Sequence, residues 1–348
     1  MINNLNAVSL FSGLGGMDLG LIGGFSYLGN HYAKNKASIK YSMDFDKPTC
    51  DIFNSNFNHE CHHQDITQLD EKDVPAHDIL LGGFPCQSFS VSAQNPPRLG
   101  FKDDRGKLFF EMCRILKYHQ PRFFIAENVK GILSANKKRA FPLIVSGFEK
   151  SGYFIKHQIL NAVHFGVPQK RERVFIVGFR DKIDHDNFDF PTGSPQIEIP
   201  LTMVLDPEDT IEEKYFFSDK AVQGLKKTKN YKIMNKGRAQ DINRPSNTVS
   251  AHLAKVSLNS TDPVLLLNDR YRMYTPREVA RIQSFPDNFQ LSGSKTQNYK
   301  ALGNAVAPVV MWELFQEIKK AITKSGLKSD LLGDTGNANF TQPKNYYG

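Results

Sequence analysis

The sequence predicts a doubly wound α/β fold, a mostly parallel sheet covered by helices on both faces, joined to a smaller irregular domain. Two observations carry this. Short apolar runs alternate with helical patterns through the first half, and that alternation stops from about Asp181 to Leu267. Candidate strands are 7–11, 39–43, 78–82, 122–126 and 173–178, with helices expected near 17–22, 47–56, 107–118 and 139–151. Strands that are apolar without a break are buried on both faces, as a parallel sheet between helical layers requires. Ligands of such sheets sit at the carboxyl ends of strands, so the loops that follow strands are where chemistry is expected.

At 348 residues the chain is long for one core. The expected division is a main domain over 1–182, a small domain over 183–270, a closing segment over 271–325 that packs back on the first, and a loosely ordered tail over 326–348. The small domain is rich in Pro, Asn, Asp, Lys and Ser, and its basic residues include Lys226, Lys227, Lys229, Lys236, Arg238 and Arg244. Tyr274-Thr275-Pro276-Arg277-Glu278 is expected to open the closing helix with Pro in its first turn.

A net charge of +8 favours an anionic partner, nucleic acid first. No run of about 18 apolar residues is present, so no membrane helix is expected. The opening MINNLNAVSLF lacks a basic leader before a long apolar core, so no secretory signal is expected. Cys50, Cys61, Cys86 and Cys113 form no CxxC pairs, which fits a reduced, cytoplasmic setting. Cys61-His62-His63 lacks a second ligand pair at finger-like spacing and reads as a surface loop; no metal is expected.

Phe11-Ser12-Gly13-Leu14-Gly15-Gly16 follows the first strand and opens a helix. Its glycines allow a tight turn and close approach of a ligand, and the helix start offers free N–H groups. The spacing is not GxGxxG, and on the loop alone a plain turn reads equally well. Asp44 ends the second strand, where such folds set an acid against ribose hydroxyls; Phe45 could stack on adenine and Asp65 could accept from its amino group. Each acid could also be a helix cap, but the series of loop, acid and aromatic favours a nucleoside-containing cofactor.

Gly82-Gly83-Phe84-Pro85-Cys86-Gln87-Ser88-Phe89-Ser90 ends the fourth strand. A cysteine held by Pro at a strand's carboxyl end is placed for attack, although a cysteine near a strand is more often buried filler. The long segment 92–105 that follows has no period and reads as a functional loop. Glu127-Asn128-Val129 directly follows apolar Phe123–Ala126; a carboxylate there can have its pKa raised and donate a proton, with a surface salt bridge as the alternative.

FSGLGG at 11–16, GGFPCQSFS at 82–90, AENVKG at 126–131, QKRER at 169–173 and GNAV at 303–306 stand in the order of a known series. Together they resemble the motifs of DNA (cytosine-5) methyltransferases of the bacterial restriction–modification type, a likeness running from about Ala7 to Val306. The resemblance implies a Rossmann-like methyltransferase fold and S-adenosylmethionine as cofactor. It implies addition of a Cys86 thiolate to carbon 6 of a flipped cytosine, with Glu127 acting on N3 and Arg173 and Arg171 beside the base. Phe11, Gly13, Leu14, Gly15, Gly16, Asp44, Phe45, Asp65, Ile66, Pro85, Leu108, Asn304 and Val306 would surround the cofactor. Gln87, before a closing loop over 88–107, would help fill the space the base vacates, and Ser88, Ser90 and Arg105 would touch DNA from that loop. The region 183–270 becomes a target-recognition domain, and NRPSNTV at 243–249, with Arg244 and Thr248, resembles its closing RPxxT motif. Asp44 and Phe45 stand where the family often has Glu and Trp, which preserves carboxylate and aromatic.

The implied partner is double-stranded DNA; a cognate restriction endonuclease would act on the same site without a stable complex, and a monomer suffices. Three rivals remain at this point: a transfer-RNA cytosine-5 methyltransferase, a catalytically inactive DNA-binding regulator, and a nicotinamide- or flavin-dependent oxidoreductase, which the glycine spacing disfavours.

Overall fold

Neighbouring residues of the first strand, β1 (Leu5–Leu10), enter different cores: Leu5 and Ala7 join one apolar cluster, Val8 and Leu10 another. A strand with no solvent face has no reason to alternate, which is why it reads as a continuous apolar run. The computed structural model describes residues 4–85, 104–228, 231, 239–254 and 262–332, without the side chains of 104–107 and 327–332.

The main sheet continues with β2 (Ala37–Asp44), β3 (Cys61–His63), β4 (Ile79–Gly82), β5 (Phe123–Val129), β6 (Phe154–Asn161) and β7 (Glu172–Phe179). Their order is β3-β2-β1-β4-β5-β7-β6. All pairings are parallel except those of β7, which runs antiparallel to both β5 and β6. The chain turns from one side of β1 to the other between β2 and β4, so the crevice for a ligand opens above β1 and β4.

Helix α1 (Gly16–Ile22) and the long α9 (Pro308–Leu332) cover one face, packing Met17, Leu21, Met311, Phe315 and Ile318 on it. Helices α3 (Asp104–His119) and α4 (Ala140–Glu149) cover the other with Met112, Ile115, Ile144 and Phe148. Between β2 and β3, α2 (Lys47–Asn54) starts with Pro in its first turn. After β7 come α5 (Lys182–Asn187), several single 3₁₀ turns, α6 (Asp219–Lys227) and a short hairpin of Leu265–Leu267 with Arg270–Arg272. Among the described residues, a small cluster of Leu225, Ala239, Val264 and Tyr271 is the apolar core that stretch has to itself. A larger cluster ties Leu201, Val249 and Leu265 to Tyr274, Phe285, Leu302 and, from the first part of the chain, Leu14 and Ile52.

The closing segment contains α7 (Pro276–Ile282) and α8 (Lys295–Asn304) before α9. Thr275 caps α7 in a capping box with Glu278, and Pro276 takes the first turn as expected. Glu278 also grips Arg272 at 2.8 Å through both oxygens, the pair lying wholly out of solvent.

Three features depart from the sequence reading. Strand β6 was not expected: it is the sheet edge, and its polar Lys156, His157 and Gln158 break any apolar run. Cys61-His62-His63 is no surface loop but the opposite edge strand, with Cys61 tucked against Cys50 and Phe53. Helix α9 extends to Leu332, past the point where the tail was expected to begin. Among the described residues no helix is long and apolar enough to cross a membrane, and no group of three His, Cys, Asp or Glu could hold a metal ion.

At the amino-terminal end of the sheet, His77 donates its Nδ1–H to the Pro75 carbonyl at 2.8 Å, which leaves Nε2 buried without a partner. Burial lowers its pKa to about 4, opposed by the hydrogen bond to Pro75 and more weakly by Asp78, and aided by His119 alongside. The unfolded chain therefore takes up this proton near pH 6.5 and the folded chain only near 4. Stability should fall as pH drops between those values, by up to about 3 kcal/mol at 1.36 kcal/mol per pH unit, and stay level in this respect outside them. Denaturant midpoints from pH 7 to 4 should show that slope, and His77→Asn, which keeps the donor to Pro75, should lose most of it.

Candidate active site

Topology gathers the predicted residues on one rim. The loop 11–16 leaves β1, Asp44 and Phe45 end β2, Asp65 and Ile66 follow β3, Gly83–Pro85 follow β4, and Glu127 lies in the last turn of the pleat of β5. Arg173 of β7, with Arg171 just before the strand, reaches the same rim only because that strand is reversed: its start meets the end of β5, with Arg173 opposite Val129. Gly82 pairs with Ala126, so the segment leading to Cys86 departs beside Glu127.

The loop after β1 is conformationally demanding. Phe11, Gly13 and Gly15 all have positive φ (54°, 55° and 77°), costly for the phenylalanine and free for the glycines. A Cβ on Gly16 would run into the Val306 carbonyl, so the returning 305–307 segment can lie on the loop only because glycine is there. The Gly13 N–H donates to Asp44 Oδ2 and the Asp46 N–H to Oδ1, both at 2.9 Å. Burial raises the Asp44 pKa, while those two N–H bonds work against the rise.

A nucleoside cofactor fits this rim. A Cβ placed on Gly13 would meet nothing within 4 Å, so open space faces the loop. Phe45 is 71% exposed, with the His63 ring tilted beside it at 6.4 Å between centroids. Asp65 caps the next 3₁₀ turn through Oδ1, bonding the N–H and hydroxyl of Thr67 at 2.9 Å each. The cap foreseen as an alternative for Asp65 is thus present, using one of its two oxygens. Pro85 and Leu108 are half-buried, and Asn304 is exposed at the end of α8. Leu14, Ile66 and Val306 are buried, each in one of the apolar clusters beneath the rim.

Glu127 is buried, and Arg173 Nε lies 3.0 Å from its Oε1. Burial raises the Glu127 pKa; the charges of Arg173 and, more weakly, Arg171 pull it down. Oε2 points to the backbone of Gly83, 3.6 Å from where a Cβ would stand there. Arg171 behaves differently from its neighbour. It donates to the carbonyls of Val249 (3.1 Å), Gly303 (2.9 Å) and Ala305 (2.9 Å), and so fastens the rim instead of facing it.

Cys86, Gln87, Ser88 and Ser90, and with them Lys229, Lys236 and Arg238, lie outside the described residues, as does the side chain of Arg105. Arg244 is exposed and 3.5 Å from Glu198, and Thr248, also exposed, donates to the Lys170 carbonyl at 2.6 Å.

Two residues passed over in the sequence reading hold the site together. Asn128, inside the quoted ENV motif, donates to the Phe84 carbonyl at 3.0 Å and thereby ties the end of β5 to the segment before Cys86. Gln169, at the head of QKRER, is fully buried; it accepts from the Val249 N–H at 2.8 Å and donates to Gln283 at 2.8 Å. Both were visible as motif letters, but only packing reveals what they hold.

The family model for C-5 cytosine-specific DNA methylases matches residues 5–320. Among curated relatives, Type II methyltransferase M1.ScrFI of Lactococcus lactis subsp. cremoris is 38% identical over 324 residues, covering 91% of this chain and 79% of its own. Type II methyltransferase M.SsoII of Shigella sonnei is 35% identical, covering 89% and 79%. Among solved structures, the Entamoeba histolytica methyltransferase EhMeth superposes with a TM-score of 0.73 at 20% identity, over 92% of this chain and 99% of that one, a likeness of fold. The chain belongs to the C-5 cytosine-specific DNA methylase family and is an enzyme of that family.

Proposed function

We propose that the protein methylates carbon 5 of one cytosine within a short duplex-DNA sequence, using S-adenosylmethionine, as the modifying half of a restriction–modification pair. The observation that carries this reading is the buried Glu127, held by Arg173 at 3.0 Å against the backbone that leads into Cys86. Relatives named as Type II methyltransferases support the restriction–modification role.

Carbon 5 of cytosine is a weak nucleophile until the ring is activated. In the proposed sequence the Cys86 thiolate adds to carbon 6, forming a C–S bond. Glu127, its carboxyl raised by burial, gives its proton to N3 as electrons move into the ring. Arg173 occupies Oε1 and leaves Oε2 to hold that proton. The bound donor supplies the methyl group as an electrophile, which carbon 5 takes. A base, a water in the site, then removes the carbon-5 proton, the freed electron pair expels Cys86 as thiolate, and N3 returns its proton to Glu127.

Asp44, Phe45, Asp65 and the loop 11–16 would hold the donor by its ribose, adenine and amino-acid ends. The target base has to leave the helix to reach this rim. The positive charge of the chain supports binding to the phosphate backbone, which positions without specifying. Nothing in this sequence of steps needs a second subunit or a bound endonuclease, so we propose a monomer that acts alone.

Incubation with labelled S-adenosylmethionine and unmethylated duplex DNA, followed by sequencing for 5-methylcytosine, should find the mark in one short recurring context. Transfer to transfer RNA alone would replace this reading with the RNA enzyme, and no transfer to either would favour a binding role. Cys86→Ser should lose roughly a thousandfold or more in single-turnover rate while still binding the donor; near-normal methylation by it would sink the covalent step. Glu127→Gln should keep its affinity for DNA in gel shifts and lose about a hundredfold or more in rate. An unchanged rate would remove Glu127 from ring activation.

A further inference from the structure

Asp18 is a carboxylate with no solvent exposure that the mechanism above does not use. It sits in the first turn of α1, directly behind the glycine loop. Its Oδ2 accepts from Ser9 Oγ at 2.8 Å and its Oδ1 from Ser42 Oγ at 3.0 Å. Ser9 and Ser42 are cross-strand partners in β1 and β2. The carboxylate thus bridges the two strands that carry the cofactor rim. Each serine lies two residues below that rim, roughly 7 Å at about 3.3 Å per residue.

The bonds continue upward from there. Ser12 Oγ donates to the Ser9 carbonyl at 2.9 Å and lies 3.0 Å from Ser9 Oγ. Ser12 also exchanges two bonds with Met43, N–H to carbonyl at 2.9 Å and Met43 N–H to Oγ at 3.2 Å. Its neighbour Gly13 then bonds Asp44. One polar chain therefore runs from Asp18 to the rim itself.

What Asp18 lacks is a full cationic partner. Among the described residues no Lys or Arg forms an ion pair with it. The nearest basic atom is His59 Nε2, 3.8 Å from Oδ1, buried and itself without a hydrogen bond. An anion buried with hydroxyl donors only is costly to retain, and in a low-dielectric site its field reaches farther than it would in water. A cation arriving at the rim above would recover part of that cost.

We propose that Asp18 is a positioning residue for the methyl donor, fixing the glycine loop and favouring the cationic sulfonium over the neutral thioether left after transfer. The inference rests on the reading that S-adenosylmethionine is the donor, and it gives the buried charge a use: the donor is held more firmly than its product, which then leaves.

The test is titration calorimetry of the full chain with S-adenosylmethionine and, separately, S-adenosylhomocysteine, which share every group except the methylated, charged sulfur. Asp18→Asn keeps the shape, and its amide can still bond both hydroxyls. It should weaken the charged ligand about tenfold and the neutral one by less than about threefold. His59→Lys, which leaves Asp18 in place but sets a permanent cation beside it, should reduce the same preference and decides the matter if Asp18→Asn does not fold. Ser42→Ala removes one bond without removing the charge and should leave the ratio of the two affinities unaltered. Equal weakening of both ligands, or no weakening, in Asp18→Asn and His59→Lys would overturn the electrostatic role. Failure of the wild-type protein to bind either ligand would overturn the cofactor reading and this inference with it.

Discussion

A guanidinium taken out of water needs acceptors inside the protein, and the two terminal nitrogens of Arg171 find three carbonyls from two distant segments, while its buried Nε has no hydrogen bond among the described residues. Val249 lies 78 residues along the chain and Ala305 lies 134. The rest of the site depends on that clamp. It brings the return of the chain from the irregular region, and the end of α8, against the start of β7, which lets the 305–307 segment lie on the glycine loop. Leaving any of those carbonyls bare in the interior would cost about 1–3 kcal/mol each, so the clamp holds as a set.

The spacing of QKRER follows from this. In an extended chain alternate side chains share a face, and Gln169, Arg171 and Arg173 all turn inward. Lys170 is exposed between them, and Glu172 meets Lys130 at the surface at 2.9 Å. Gln169 and Arg171 secure the frame while Arg173 alone reaches the carboxylate. A register slip of one residue would bury Lys170 and Glu172 in their place, leaving Glu127 without a cation and three carbonyls without donors.

The doubly wound sheet was legible because β1, β4, β5 and β7 send apolar side chains into both clusters and so carry continuous apolar stretches. Strand β6 was not, since an edge strand with Lys156, His157 and Gln158 half in water carries no such run. The hairpin of Phe25–Tyr27 with Asn30–Tyr32 escaped for a different reason, its length: three-residue strands have too little period to register. At the site, motif letters located the rim but not the direction of each side chain. Leu14 and Ile66 belong to the motif neighbourhood yet point into the core, and Asp18 reads in sequence as an ordinary first-turn acid of a helix. Its burial and its bridge between Ser9 and Ser42 arise from a strand pairing that no local pattern states.

Three acids near one sheet edge illustrate how environment divides labour among identical groups. Asp44 receives two backbone N–H bonds, which suit the charged form and leave lone pairs for a hydroxyl beyond. Asp18 receives two hydroxyls and is sealed from solvent, so it can act on a ligand only through its field. Glu127 receives a single guanidinium on one oxygen, and burial outweighs that guanidinium in setting its pKa. Of the three, only Glu127 combines a raised pKa with an oxygen turned toward the segment that carries Cys86. In the proposed mechanism proton donation falls to it, and the sheet's reversed last pairing brings Arg173 to one side of that carboxylate only.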